Sequence, residues 1–337
     1  MPSVTLRDLA VLAGCSHSTV SLALRNHPRI PVETRERIHA LARDHGYSQD
    51  AVVSSLMTQL RTARKARSPE KLAFVNLWTV RDPNHFTTGP FVGAAKRAEE
   101  LGYELEEFWA KEPGMTGKRL TNILYTRAIR GLVVGSLARP KGHLSLNWSH
   151  FATVTISQTL VRPSHHCVTS AKSHGISLTI RTLRHRGYKR IGFTGLLDES
   201  RRTNEDWLAG YLVAEWDKPL KERIEPLMLE KWDGALLHKW IRKNRLEAVV
   251  SNNYQPLHLI RELGFDVPGD LGFAVLDRLS PTVPCAGIDQ QRGRMGAAAV
   301  DLVVSLIERN QFGVAEDPKT VQLQGVWRDG PTIRRLV

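Results

Sequence analysis

Between residues 72 and 276 six short apolar runs, at 72–78, 131–135, 152–156, 190–194, 247–251 and 271–276, are separated by segments long enough for a helix. Runs of that length read as buried strands, and strands that alternate with helices lie parallel because each helix carries the chain back to the same end of the sheet. Three of the intervening helices end alike, in Leu101-Gly102-Tyr103, Arg186-Gly187-Tyr188 and Leu263-Gly264-Phe265. Glycine suits the left-handed residue that closes a helix, and the aromatic residue leads the chain onward. The expectation is an α/β fold of doubly wound parallel sheets. Such sheets bind ligands at the carboxyl ends of their strands, and a two-lobed version does so in the cleft between lobes.

The first 46 residues read differently. Thr5 stands three residues before Asp8 in a capping-box pattern, and Leu6, Leu9, Ala10 and Ala13 share one helical face. Gly14 closes that helix, and Ser16 is placed to cap a second one in which Val20, Ala23 and Leu24 face inward while His17, Ser18 and Ser21 face outward. A third amphipathic helix is expected from 32 to 45, carrying Ile38, Leu41 and Ala42 and ended by Gly46. Two short helices about a tight glycine turn make a helix-turn-helix. Small hydroxyls and an imidazole on the second helix suit base edges in a major groove, and Arg25 and Arg29 suit phosphates. A helical hairpin with no DNA role has the same spacing.

The run 4–10 (Val-Thr-Leu-Arg-Asp-Leu-Ala), then Ala13-Gly14-Cys15-Ser16, Thr19-Val20-Ser21, Thr34-Arg35-Glu36-Arg37-Ile38 and Gly46-Tyr47, resembles without a gap the head of the LacI/GalR family of transcriptional regulators. That resemblance implies that the second helix is the recognition helix, with His17 and Ser18 at the main base-reading positions and Thr5, Ser16, Thr19 and Ser21 near phosphates or bases. Leu22 stands where the family usually has a base-reading arginine, Arg25 where it has asparagine, and Pro31 where it has a serine cap. Leucine offers only apolar contact, as to a thymine methyl, so the expected operator differs from those read through arginine and guanine.

Residues 47–68 carry Val52, Val53, Leu56 and Leu60 at helical spacing before a basic stretch. By resemblance this is the hinge helix that folds on the operator and wedges Leu56 into the minor groove. Gln49-Asp50 replaces the family's Pro-Asn and Val53-Ser54 its Ala-Arg, which leaves a plain solvated linker as the other reading. The resemblance continues more weakly through 187–191, 208–211, Leu263-Gly264 with 267–270, and 296–298. It implies a two-lobed domain like a periplasmic binding protein over 69–337, with the chain crossing three times: one lobe about 69–164 and 289–322, the other about 165–288 and 323–337. It also implies a homodimer on a near-palindromic double-stranded operator.

Sugar-binding relatives hold ligand hydroxyls with an arginine three residues before the glycine at Gly210, and with an asparagine-aspartate pair. Here Trp207 and Asn252-Asn253 occupy those positions, while Asp277 is kept. Either Trp207 and Trp78 sandwich a flat or pyranose-like effector, with Asn204, Asn253 and Asp277 giving directional hydrogen bonds, or the tryptophans fill an occluded cleft. In the second case the chain is a regulator without an effector.

Other classes find less support. No GxSxG, HExxH or GxxxxGK[ST] motif is present, so an enzyme is not expected. Asp198-Glu199 reads as a pair of solvated loop acids, and His165-His166-Cys167 as surface residues rather than metal ligands; no metal or cofactor is expected. The start, Met1 to Arg7, lacks the order of a secretory signal, and the three cysteines lie far apart, which points to the cytoplasm and away from a stand-alone solute-binding protein. No apolar run approaches a membrane span. The formal charge of +13 suits an acidic polymer, although residues 1–68 hold only ten of the 47 basic residues, so charge alone does not place the DNA site.

Overall fold

A computed structural model describes residues 4, 6–24, 26–45, 47, 70–78, 89–279 and 283–335. The head is three helices, α1 (Leu6–Ala13), α2 (His17–Leu24) and α3 (Val32–Asp44). Leu9, Ala10 and Ala13 of α1, Val20 and Ala23 of α2, and Ile38 and Ala42 of α3 bury one another with Ile30, forming a small core of their own. Gly14 turns the chain between α1 and α2 at φ 61°.

The larger part begins with β1 (Glu70–Leu77), α4 (Pro90–Glu100), β2 (Tyr103–Trp109), α5 (Gly117–Thr126), β3 (Gly131–Leu137), the two-residue β4 (Gly142–His143), β5 (Ala152–Ile156), β6 (Leu160–Arg162) and β7 (His166–Ser170). It continues through α6 (Lys172–His185), β8 (Ile191–Leu196), α7 (Leu197–Arg202), α8 (Asp206–Trp216), β9 (Leu227–Leu229), α9 (Gly234–Asn244), β10 (Ala248–Ser251), α10 (Gln255–Glu262), β11 (Gly272–Val275) and β12 (Ala286–Asp289). The last elements are α11 (Arg292–Glu308), β13 (Thr320–Leu323) and β14 (Val326–Arg328). All six apolar runs are strands. Gly102, Gly187 and Gly264 take φ of 80°, 85° and 85°, the left-handed closure that their shared pattern implied.

Two six-stranded sheets result, in the orders β13-β7-β5-β3-β1-β2 and β14-β12-β11-β10-β8-β9. All pairs in them are parallel except β12 with β14. In the first sheet β1 lies between β2 and β3, and in the second β8 lies between β9 and β10, so each has a point where the winding direction reverses. The chain passes between sheets three times, after β7, after β12 and after β13. The division expected at 164/165 comes too early, because β7 pairs with β5 in the first sheet and the crossing follows Ser170. The run His165-His166-Cys167 had no alternating apolar pattern to mark it as a strand.

Helices cover both faces of each sheet, as the nearly continuous burial of the strands requires. On the first, α4 and α11 pack over Leu72, Phe74, Val133 and Val154, while Leu120 and Leu124 of α5 cover the opposite face. On the second, α6 and α8 cover Ile191, Phe193 and Val250, and α9 and α10 cover Val249, Phe273 and Val275. No helix among the described residues is long and apolar enough to cross a membrane.

The approach of α4 to α11 depends on missing side chains. A Cβ on Gly296 would stand 1.8 Å from the Pro90 carbonyl oxygen, and one on Gly93 would stand 1.9 Å from that of Gly293. The Gly296-Ala297-Ala298 landmark therefore marks a backbone-to-backbone contact. Alanine in a helix interior ordinarily stabilises by about 1 kcal/mol over glycine. At Gly296 overpacking reverses the sign, and Gly296→Ala is expected to lower stability by about 1–3 kcal/mol, read as a lower midpoint in thermal or urea unfolding.

Candidate nucleic-acid interface and interlobe cleft

At the start of α2 the Ser16 hydroxyl accepts the Thr19 backbone N–H at 3.1 Å, so Ser16 is the helix cap. Its Oγ also lies 2.8 Å from the hydroxyls of Ser18 and Thr19. His17 and Ser18 are exposed on the first turn, free to meet a groove. Thr19, Ser21 and Leu22 are half-buried, and Leu22 packs against the head core, which leaves only part of its side chain for an apolar contact. Arg29 is exposed in the loop before α3. Pro31 provides no side-chain cap to α3, as its chemistry dictates. Thr5, Arg25, Gly46, Leu56 and the linker helix lie outside the described residues.

Two basic residues of α3 do structural work that spacing did not reveal. Arg37 Nη2 donates to the Ala13 carbonyl at 3.3 Å, holding the turn between α1 and α2. Arg35 Nη1 donates to the Asn26 carbonyl at 3.1 Å, and the His39 ring nitrogen lies 3.0 Å from Asn26 Oδ1, which fixes the loop leaving α2. The exposed face of α2 is thereby held against a rigid support.

Between the lobes lies a cavity of about 360 Å³. Asn76 on β1, Trp78 after it, Ser136 on β3 and Thr169 on β7 reach it from one lobe. Glu199 and Arg202 of α7, Asn252 and Asn253 after β10, and Asp277 after β11 reach it from the other. Of the residues expected to meet an effector, Trp78, Trp207, Asn253 and Asp277 line this cavity. Asn204 does not. It is exposed and takes a left-handed φ of 55° at the turn between α7 and α8.

The two tryptophans are not equivalent. Trp207 is 6% exposed and belongs to the core of the second lobe, and its indole N–H has no partner among the described residues. Trp78 is 38% exposed, and the group over its ring is the Arg202 guanidinium at 5.6 Å. Arg202 Nη2 also donates to the Leu137 carbonyl at 2.9 Å. Arg202, on α7 of the second lobe, thus touches the first lobe twice.

The carboxylates of the cleft are already engaged. Glu199 Oε2 accepts the amides of Asn252 at 2.6 Å and Asn253 at 2.8 Å, and Asp277 Oδ2 accepts Arg292 Nη2 at 2.6 Å. Reading Glu199 as a solvated loop acid was therefore wrong: α7 turns it inward, while Asp198 stays exposed and pairs with Arg201 at 3.4 Å. Lys172, the first residue of α6, is 7% exposed and donates to Thr169 Oγ1 at 3.0 Å. Burial pulls its pKa down, with the nearby Asp206 and Asp277 charges opposing the shift. Arg202 and Lys172 went unnoticed in the sequence because a lone cation among polar or small residues reads as surface charge.

Residues 5–50 match the family model for bacterial regulatory proteins of the lacI family, and the chain is 25% identical to the HTH-type transcriptional regulator GalR of Escherichia coli (strain K12) over 288 residues, 81% of this chain and 79% of that one. The match to the lacI family is thus shown for residues 5–50, the segment that holds α1 to α3, and the chain as a whole is similar to GalR regulators. GalR of Streptococcus thermophilus is 25% identical over 193 residues, 56% of this chain; the chain spans about half of that relative, 53%. The lac repressor dimer bound to operator and the anti-inducer ONPF shares the fold, with a TM-score of 0.53 at 18% identity over 98% of this chain and 99% of that one. These relatives are regulators, not enzymes. Against the LacI family pattern, the substitution of Trp207 for arginine has a local explanation: the indole fills the lobe core beneath the cleft.

Of the adjacent histidines, His165 is not a surface residue, while His166 is half-buried and its Nδ1 accepts the Lys319 backbone N–H at 3.0 Å. His165 is 4% exposed with its ring 4.5 Å from that of Trp148, and Cys167 is buried in β7. Among the described residues no group of three or more His, Cys, Asp or Glu side chains is placed to hold a metal. Burial, with His166 beside it, holds the His165 pKa down to about 4. The folded chain thus keeps this imidazole neutral in a range where the unfolded chain, with a pKa near 6.5, takes up a proton. Stability should fall as pH drops from about 6.5 to 4, by on the order of 3 kcal/mol for this group. Chemical unfolding of His165→Leu is expected to show a shallower loss over that range than the parent chain.

Proposed function

We propose that this chain is a sequence-specific DNA-binding transcriptional regulator, a repressor, that binds a near-palindromic operator as a homodimer and responds to a small molecule in the interlobe cleft. The observation that carries the DNA reading is the capped α2, which presents His17 and Ser18 on an exposed first turn within the segment that matches the family. On this reading residues 1–46 are the head, 47–68 the hinge and 69–337 the effector and dimer domain. His17 and Ser18 read base edges; Ser16, Thr19 and Ser21 together with Thr5, Arg25 and Arg29 hold phosphates or adjoining bases, and Leu22 offers its exposed part to a thymine methyl. Leu56 is the minor-groove wedge.

The GalR relatives support the regulatory role, and the cleft supports the effector. It is concave, is walled by polar groups from both lobes, and lies where two parallel sheets direct their strand ends. A ligand bridging the lobes stabilises one lobe arrangement over another, and only that difference in affinity is transmitted to the head. The cleft then binds its ligand without converting it. A chromosomal regulator works in the cytoplasm.

The test is selection of bound sequences from a random duplex pool by the full chain at a stated salt concentration. A palindromic consensus is expected, and His17→Ala should lose preference at one position of each half-site, worth about 1–3 kcal/mol, while keeping most nonspecific affinity. An unchanged consensus with His17→Ala would remove α2 from the reading role. No enriched sequence at any salt would remove the regulator reading itself.

A further inference from the structure

The polar groups of the cleft do not balance one another. Three cations line it, Lys172, Arg202 and Arg292, against two carboxylates, Glu199 and Asp277. Arg292 is paired with Asp277, and Glu199 is held by two asparagine amides. Lys172 and Arg202 are left with no carboxylate in ion-pair contact among the described residues. Lys172 has three N–H donors and a single neutral partner, Thr169, and it sits at the N-terminal end of the 14-residue α6, where the helix dipole disfavours a cation and favours an anion. Arg202 spends one N–H on Leu137, and among the described residues its buried Nε has no partner. Burial lowers the pKa of both, the direction expected of cations short of counter-charge.

Around these cations other buried atoms are also unmatched. Among the described residues Trp207 Nε1 is a donor without an acceptor, while Asp277 Oδ1, Asn252 Oδ1 and Gln290 Oε1 are acceptors without donors. Groups of both kinds on one wall are satisfied together by hydroxyls, which donate and accept. The volume, about 360 Å³, suits a ligand of roughly one sugar ring.

We infer that the cleft ligand is a small polyhydroxylated anion, a single-sugar acid or sugar phosphate, whose negative group is taken by Lys172 and Arg202 and whose hydroxyls meet Trp207, Asn252, Asp277 and Gln290. This rests on the effector reading of the cleft. It places the charged anchor of the ligand on α6 and α7 rather than at position 207, where sugar-binding relatives carry their arginine.

The experiment is titration calorimetry of the full chain with glucuronate, gluconate and glucose 6-phosphate, each beside a neutral counterpart (glucose or sorbitol), and with inorganic phosphate as the bare anion. At least one acid is expected to bind ten-fold or more tightly than its neutral counterpart and than inorganic phosphate. The carboxylates and the phosphate ester separate the two sources of charge. In Lys172→Met and, separately, Arg202→Gln, that preference should fall by ten-fold or more, with circular dichroism confirming that each variant is folded. Equal or tighter binding of the neutral sugars, binding of no acid at millimolar concentration, or a preference that survives in both folded variants would overturn the assignment. The regulator reading is decided separately by the DNA selection: an enriched operator with no acid binding discards the ligand class alone, and acid binding with no operator discards the DNA role alone.

Discussion

Parallel pairing constrains this molecule more than any single contact. A parallel strand followed by a helix delivers every carboxyl end to the same edge of its sheet, and three crossings between two such sheets bring the two edges together. The residues just past β1, β3, β7, β10 and β11 therefore meet in one cavity although they are separated by up to two hundred positions in the chain. The close passage of α11 over α4 matters for the same reason. α11 comes after the second crossing, so the glycine contact that seats it on the first sheet also fixes where the chain leaves the second.

Inside that frame, electrostatics decides which side chains remain available. A half-buried acid such as Glu199 is costly unless its oxygens are bonded, and two asparagine amides on one oxygen supply that need at the position where relatives carry an asparagine and an aspartate. Replacing the aspartate with Asn253 thus removes a charge from the β10 end while Glu199 brings one in from α7. The same relocation holds for the cation. Position 207 gives up its guanidinium to an indole that completes the lobe core, and Arg202, five residues earlier, enters the cleft instead and lies against Trp78 of the opposite lobe.

How much of this was legible in the sequence depends on which signals are local. Strands announced themselves by apolar runs, helix ends by glycine before an aromatic, and the head by a capped, gapless run of small and apolar residues; each depends on neighbours a few positions away. β7 was missed as a first-sheet strand because His-Cys-Val-Thr-Ser carries no period-two pattern, and its burial comes from β5 and β13, which only the fold brings near. Lys172 and Arg202 were missed for the reverse reason. Both sit in polar surroundings, Lys172 between small residues and Arg202 at the end of Asp-Glu-Ser-Arg-Arg, and nothing local separates a solvated cation from one folded into a cleft. Asn204 was misplaced because a left-handed turn, invisible to spacing, reverses the chain between α7 and α8.

Arg202 joins the two lobes. It is a second-lobe side chain that donates to a first-lobe carbonyl and covers a first-lobe ring, so its contacts depend on the angle between lobes. A carboxylate or phosphate drawn to this guanidinium competes with the Leu137 carbonyl for its donors, and charge-assisted hydrogen bonds to an anion are roughly twice as strong as those to a neutral acceptor. Binding there exchanges an interlobe contact for a ligand contact, and the lobes adjust to whichever acceptor holds the guanidinium. With the proposed anion on Arg202, occupancy and lobe angle would become interdependent, which is the physical content of an effector response.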